Sequence, residues 1–123
     1  MRGHVDAGAR EAVLTLRLLG ATGDRAEVDA TVDTGFTGAL CLSPDLVRSL
    51  SLPLAGRGIA VLADGHTVET RIYRTRVVWH GRERGVRVLA TKGGPLVGMT
   101  LLRGSRLSVD VVPDGAVRIE ERA

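Results

Sequence analysis

Asp33 is the residue on which chemistry is most readily built. The run from Val28 to Val32, with polar Asp29 and small Ala30 inside it, ends on this acid, and Thr34-Gly35 follows as a tight turn. That order places a carboxylate where a strand meets a loop. Burial penalises the charged form, so such a group needs hydrogen-bond donors or a shared proton. Read alone, Asp33 is better explained as a turn-forming side chain, because Asp and Gly favour turns whatever their chemistry; the motifs below tip it toward catalysis. The other reactive side chains point elsewhere. Cys41, flanked by Leu40 and Leu42, reads as a small core residue, and no motif joins it to a histidine. His4, His66 and His80 are scattered without paired metal-ligand spacing, so no metal and no cofactor is expected.

The elements that must position Asp33 follow from the 123 residues and 44% hydrophobic content, which suit one core. The reading divides the chain into a flexible lead-in, residues 1–11, and a single domain, residues 12–123. Val13 to Leu18 alternates apolar and polar residues as a strand does. Ala21-Thr22-Gly23-Asp24 is a turn, and Arg25 to Val32 returns as the strand that feeds Asp33. Ser43-Pro44-Asp45 starts a helix running to about Leu50: Ser43 caps it, Pro44 takes the first helical position, and Asp45 faces the dipole. Gly58 to Leu62 and Thr67 to Ile72 flank Asp64-Gly65, a hairpin signal for a type I′ turn. Arg74 to Trp79 and Val86 to Ala90 form a hairpin around His80-Gly81-Arg82. Leu96-Val97-Gly98 precedes a short helix, Met99 to Arg103. A last hairpin joins Leu107 to Val112 with Ala116 to Ile119.

The two halves echo each other in element order: strand, turn, strand, then Val32-Asp33-Thr34-Gly35 and a helix, against strand, turn, strand, then Leu96-Val97-Gly98 and a helix. Asp33-Thr34-Gly35, the Asp64-Gly65 hairpin and Leu96-Val97-Gly98, in this order and spacing, resemble the retropepsin-type aspartic proteases in their bacterial, single-domain form, over roughly residues 12 to 120. The resemblance implies an all-β fold, a closed acid-protease barrel with one or two short helices. It implies that Asp33 is the catalytic aspartate and that Thr34 and Gly35 complete the active-site loop. Thr34 would bond to its own symmetry mate. Asp64 and Gly65 would tip a flap over the substrate, with Phe36, Val61 and Leu62 as apolar pocket walls. Leu96, Val97 and Gly98 would support the Asp33 loop from behind. Phe36 departs from the pattern, since retroviral enzymes usually carry a small residue there.

One Asp-Thr-Gly per chain implies, on the same resemblance, a homodimer in which two Asp33 carboxylates activate a water to hydrolyse a peptide or protein substrate. The competing reading is a catalytically inactive module that keeps the protease fold for protein binding or assembly. Net charge is +3, and arginines crowd between Arg71 and Arg87. They read as alternating positions on solvated strands, and three aromatics provide no stacking platform, so no nucleic-acid partner is expected. No stretch is apolar enough to span a bilayer, and the expected location is the cytoplasm.

Overall fold

The computed structural model describes residues 1–122. Ten strands and two short helices follow one another as β1 (Arg2–Val5), β2 (Ala12–Leu19), β3 (Arg25–Val32), β4 (Leu40–Leu42), α1 (Pro44–Ser49), β5 (Leu54–Val61), β6 (Thr67–Trp79), β7 (Arg82–Ala90), β8 (Leu96–Val97), α2 (Met99–Leu102), β9 (Ser105–Val109) and β10 (Ala116–Glu121). The period-2 pattern decides which face turns inward. Leu14, Leu16 and Leu18 of β2 are fully buried while Thr15 and Arg17 face water. Val77 and Trp79 of β6 and Val86 and Val88 of β7 meet them in the same core, and Thr75 is buried on the same face of β6.

The strands form one sheet in the order β5-β6-β7-β4-β8-β3-β2-β1-β10-β9. A further pairing of β6 with β2, at Leu18–Val77 and Leu19–Arg76, joins the sheet back on itself. Strands β2, β3, β8, β4, β7 and β6 therefore close a ring. Strand β5 lies outside it on one flank, and β1, β10 and β9 lie outside it on the other. Inside the ring the two halves exchange strands. Strand β3 of the first half runs parallel to β8 of the second, β4 runs parallel to β7, and β4 and β8 cross antiparallel at Leu40–Val97. This interlock is the structural form of the repeated element order.

Helix α1 begins as its sequence requires. The Ser43 hydroxyl accepts from the Leu46 N–H (3.2 Å), and Pro44 opens the first turn. Thr67 to Ile72 and Arg74 to Trp79, read as two strands, are one, β6, and two further features differ from the sequence reading. The lead-in is a strand over Arg2–Val5, paired with β10 on one side and β2 on the other. The Asp6 carboxylate then organises the return into β2 by accepting from the N–H groups of Arg10 (2.7 Å) and Glu11 (3.0 Å). Those two donors, Glu11 first, hold its pKa below the ordinary carboxylate value. The second difference is the hairpin turn at Asp64-Gly65. Only Gly65 has positive φ (88°), and Leu62 and His66 bracket a three-residue loop by Leu62 N–H to His66 C=O (2.7 Å) and Gly65 N–H to Leu62 C=O (2.9 Å). That is a type I turn ending in a glycine bulge, because three residues bridge the strands where a type I′ turn has two. The two-residue turn with both φ positive is His80-Gly81 (51° and 76°), between Trp79 and Arg82.

Strand β1 passes so close to β2 that a Cβ on Gly3 would lie 2.1 Å from the Val13 carbonyl oxygen. Gly3→Ala is expected to lower stability by about 1–3 kcal/mol through forced displacement of the strand. A shift in the urea midpoint measures this, and an unchanged midpoint would show that β1 is not seated between β2 and β10.

Candidate active site

Strand β3 delivers Asp33 to the rim of the ring, and β8 fixes its height. The Asp33 N–H donates to the Val97 carbonyl (2.9 Å), extending the β3–β8 ladder by one residue. The chain then turns: the Phe36 N–H donates to the Asp33 carbonyl (3.1 Å), and the Gly35 N–H donates to Asp33 Oδ1 (2.9 Å). Asp33 is half-buried, and among the described residues no donor reaches its other carboxylate oxygen. Gly35 has no positive φ. A Cβ there would lie 3.2 Å from Asp33 Oδ1, so glycine leaves room for the carboxylate.

The rest of the loop is held from below by the second half of the chain. Gly98 N–H donates to Ala39 C=O (3.0 Å), Met99 N–H to Phe36 C=O (2.8 Å), and Thr100 N–H to Gly38 C=O (3.2 Å). The Thr100 hydroxyl donates to Thr37 C=O (2.6 Å). A Cβ on Gly98 would meet the Gly38 carbonyl at 2.2 Å and the Phe36 carbonyl and ring at 2.6 Å. The Phe36 ring also covers Gly38, where a Cβ would meet it at 2.6 Å. Phe36 thus packs on two glycines and is half-buried. Sequence reasoning missed Gly38, Met99 and Thr100. The repeated Thr-Gly pair at Thr34-Gly35 and Thr37-Gly38 was the available signal.

The structure brings Asp33, Thr34, Gly35, Phe36, Leu96, Val97 and Gly98 into one assembly. Thr34 lies exposed at its outer lip. Val61, Leu62, Asp64 and Gly65 belong to a separate arm, the β5–β6 hairpin, and none of the Asp33 loop's hydrogen bonds goes to it. Val61 is 73% exposed and Leu62 46%. At the arm's tip, Asp64 accepts from the His66 N–H (3.0 Å) and contacts His66 Nδ1 (2.8 Å). The His66 ring, then its N–H, lowers the Asp64 pKa.

Three loops leave the sheet at the Asp33 end. Thr31 pairs with Val13, Val5 with Ala12, and the Val5 N–H donates to the Gly115 carbonyl (2.8 Å). The Asp6–Glu11 turn, the Asp33 loop and the Asp110–Gly115 loop therefore share one end. Met99, Val111 and Val112 are exposed there, the last two at 67% and 54%. Cys41 is buried in β4, and burial raises its thiol pKa. Among the described residues no three of His, Cys, Asp and Glu gather closely enough to hold a metal ion, and no helix is long and apolar enough to cross a membrane.

Solved structures share this architecture. EIAV protease complexed with the inhibitor HBY-793 aligns with a TM-score of 0.62 at 17% identity, over 76% of this chain and 86% of that one. Simian foamy virus (mac) protease aligns at 0.53 and 16% identity, over 73% and 90%. A retropepsin-like aspartic protease from Rickettsia conorii aligns at 0.62 and 15% identity, over 100% of this chain and 90% of that one. No protein-family model matches the chain, and no curated protein matches it by sequence. The shared feature is the fold, and the chain has the retropepsin fold.

The Gly98 contact yields a direct test. Gly98→Ala is expected to cost about 1–3 kcal/mol or more, because the obstructing atoms are backbone carbonyls that cannot rotate away. Chemical denaturation measures it, and a neutral result would remove Gly98 from the support of the Asp33 loop.

Proposed function

We propose that this chain is one half of an aspartic endopeptidase, completed by a second copy of itself. The observation that supports the reading most strongly is Asp33: a half-buried carboxylate on a backbone-braced loop of the retropepsin fold, with one oxygen free of donors among the described residues. A single carboxylate cannot supply both a base and an acid to the same substrate. Two carboxylates at close range repel one another when both are charged, so in this reading the pair shares one proton. The ionised member takes a proton from water, and the protonated member donates to the scissile carbonyl. Water adds to the carbonyl carbon, and the gem-diol collapses with a proton passing to the amine. No covalent enzyme intermediate forms.

The second copy is expected to cover the Asp33 end of the sheet, where Thr34, Met99, Val111 and Val112 are exposed. Strand β1 is already paired on both sides, so the N-terminal strand is consumed within its own subunit. The β5–β6 arm carries Ile59, Val61, Leu62 and Val68 in contact with water. An extended substrate peptide lying beneath this arm would cover such residues and exclude water from the reacting groups. In this reading Asp64 and Gly65 form the moving tip, while Val61, Leu62 and Phe36 contribute apolar walls.

One feature favours the second reading, a protease-fold module without activity. Phe36 occupies the space between Gly38 and Gly98 directly beside the Asp33 turn, and its bulk lies next to where the two loops would meet. Solution mass and peptide turnover separate the readings. The protease reading expects a dimer, hydrolysis favoured at mildly acidic pH, and a loss of about 100- to 10,000-fold in kcat for Asp33→Asn with the dimer retained. A stable monomer at micromolar concentration, or cleavage that survives Asp33→Asn, would overturn it.

A further inference from the structure

Among the described residues the sheet has two open edges, β5 and β9. Strand β5 is interrupted by a bulge between Leu54 and Gly56, a device that spoils an edge as a template for further pairing. Strand β9 has no such guard. Its register with β10 runs unbroken from Ser105–Glu121 to Val109–Val117, and it carries no proline and a single charged residue, Arg106.

The ladder fixes which backbone groups of β9 face outward. At one end the Asp110 N–H donates to the Ala116 carbonyl (2.9 Å), and at the other the Arg122 N–H donates to the Gly104 carbonyl (2.8 Å). Hydrogen-bonded pairs alternate with non-bonded pairs along an antiparallel ladder. Gly104, Arg106, Ser108 and Asp110 therefore turn their backbone groups to β10, while Ser105, Leu107 and Val109 turn theirs to the open edge. Among the described residues no strand takes these up. The side chains alternate as well: Arg106 and Ser108 are exposed, and Ser105, Leu107 and Val109 are half-buried.

The charges at the two ends of β9 are opposite in sign. Arg103 and Arg122 stand where the strand begins, and Asp110 and Asp114 where it ends. All four are exposed, and none makes an ion pair among the described residues. A second β9 laid antiparallel on the first brings acidic end to basic end twice. With Leu107 opposite Leu107, Ser105 faces Val109 and Arg106 faces Ser108, so no like charges oppose each other. The same register sets Gly104 opposite Asp110 and Arg103 diagonal to it. Leu107 is one of the residues whose N–H and C=O both point outward, so the twofold position and the hydrogen-bond phase agree.

We infer that β9 is an interface with a second copy of this chain, which adds its own β9 antiparallel about a twofold axis at Leu107 and joins the two sheets edge to edge. Asp33 takes no part in this contact, so its test stands apart from that of the protease reading.

The Leu107 amide is the reporter. In the ¹⁵N-labelled full chain its hydrogen exchange is expected to slow by about tenfold or more between micromolar and millimolar protein, with Ser105 and Val109 following. The Ser108 amide, bonded to β10, is expected to be protected at both concentrations. Asp110→Arg should weaken the millimolar protection of Leu107 by about tenfold, and Arg103→Asp in the same chain should restore it. A Leu107 amide that stays unprotected in the pure protein at millimolar concentration assigns the edge to another chain or to solvent and overturns the inference. Protection that is equal at both concentrations and survives Asp110→Arg overturns it too. Should a replacement unfold the chain, the concentration dependence of the unaltered protein decides it.

Discussion

The Asp33 loop depends on a contact between two stretches of backbone that only glycine allows. Gly98 lies against the carbonyl groups of Gly38 and Phe36 at distances that leave no room for a Cβ. The three successive N–H groups of Gly98, Met99 and Thr100 are thereby aimed at loop carbonyls. A loop of this length carries backbone groups that must find partners or water. Here the second half of the chain supplies them, so the position of the acid is set by residues more than sixty positions away. The same glycine also starts α2, whose first N–H groups are free to bond outward because a helix leaves its first donors unpaired.

That contact is possible because the sheet closes. With β2 joined to β6, the ring holds β3, β8 and β4 side by side in its wall, and their exchange of partners fixes the Asp33 loop and the Gly98 turn against each other. Leu14, Leu16, Leu40, Val88, Val97 and Leu101, all at or below 1% exposure, fill the interior behind them. The outward apolar residues have a different distribution. They gather on the β5–β6 arm and at the Asp33 end, where the ring offers no cover. The core is complete within the chain, while its exposed apolar residues are concentrated in two patches, the kind of surface that marks interaction sites.

Much of this was legible in the residues because the local signals agreed with the final arrangement. Arg25 to Val32 alternates small and polar residues and is β3 to the residue. Ser43-Pro44-Asp45 opens α1 as its capping chemistry dictates, and Leu96-Val97-Gly98 lies beneath Asp33. What stayed hidden was non-local. Arg2-Gly3-His4-Val5 has no alternating pattern of its own and becomes a strand because β2 and β10, the latter over a hundred residues away, offer it two edges. The turn at Asp64-Gly65 was misread because its type is set by how many residues the flanking strands leave unpaired, which follows from register.

Strand β6 has one more consequence. It is 13 residues long, about 40 Å of continuous backbone. Its second part is wall of the ring, paired with β7 and β2, and its first part is the inner edge of the projecting arm, paired with β5. No loop separates the two. On its β6 side the arm has no loop to swing on: displacement at its far end is absorbed there as curvature along a single ribbon that continues to Thr75 and Val77, whose side chains belong to the interior. The stiffness of the wall and the reach of the arm are therefore one mechanical property.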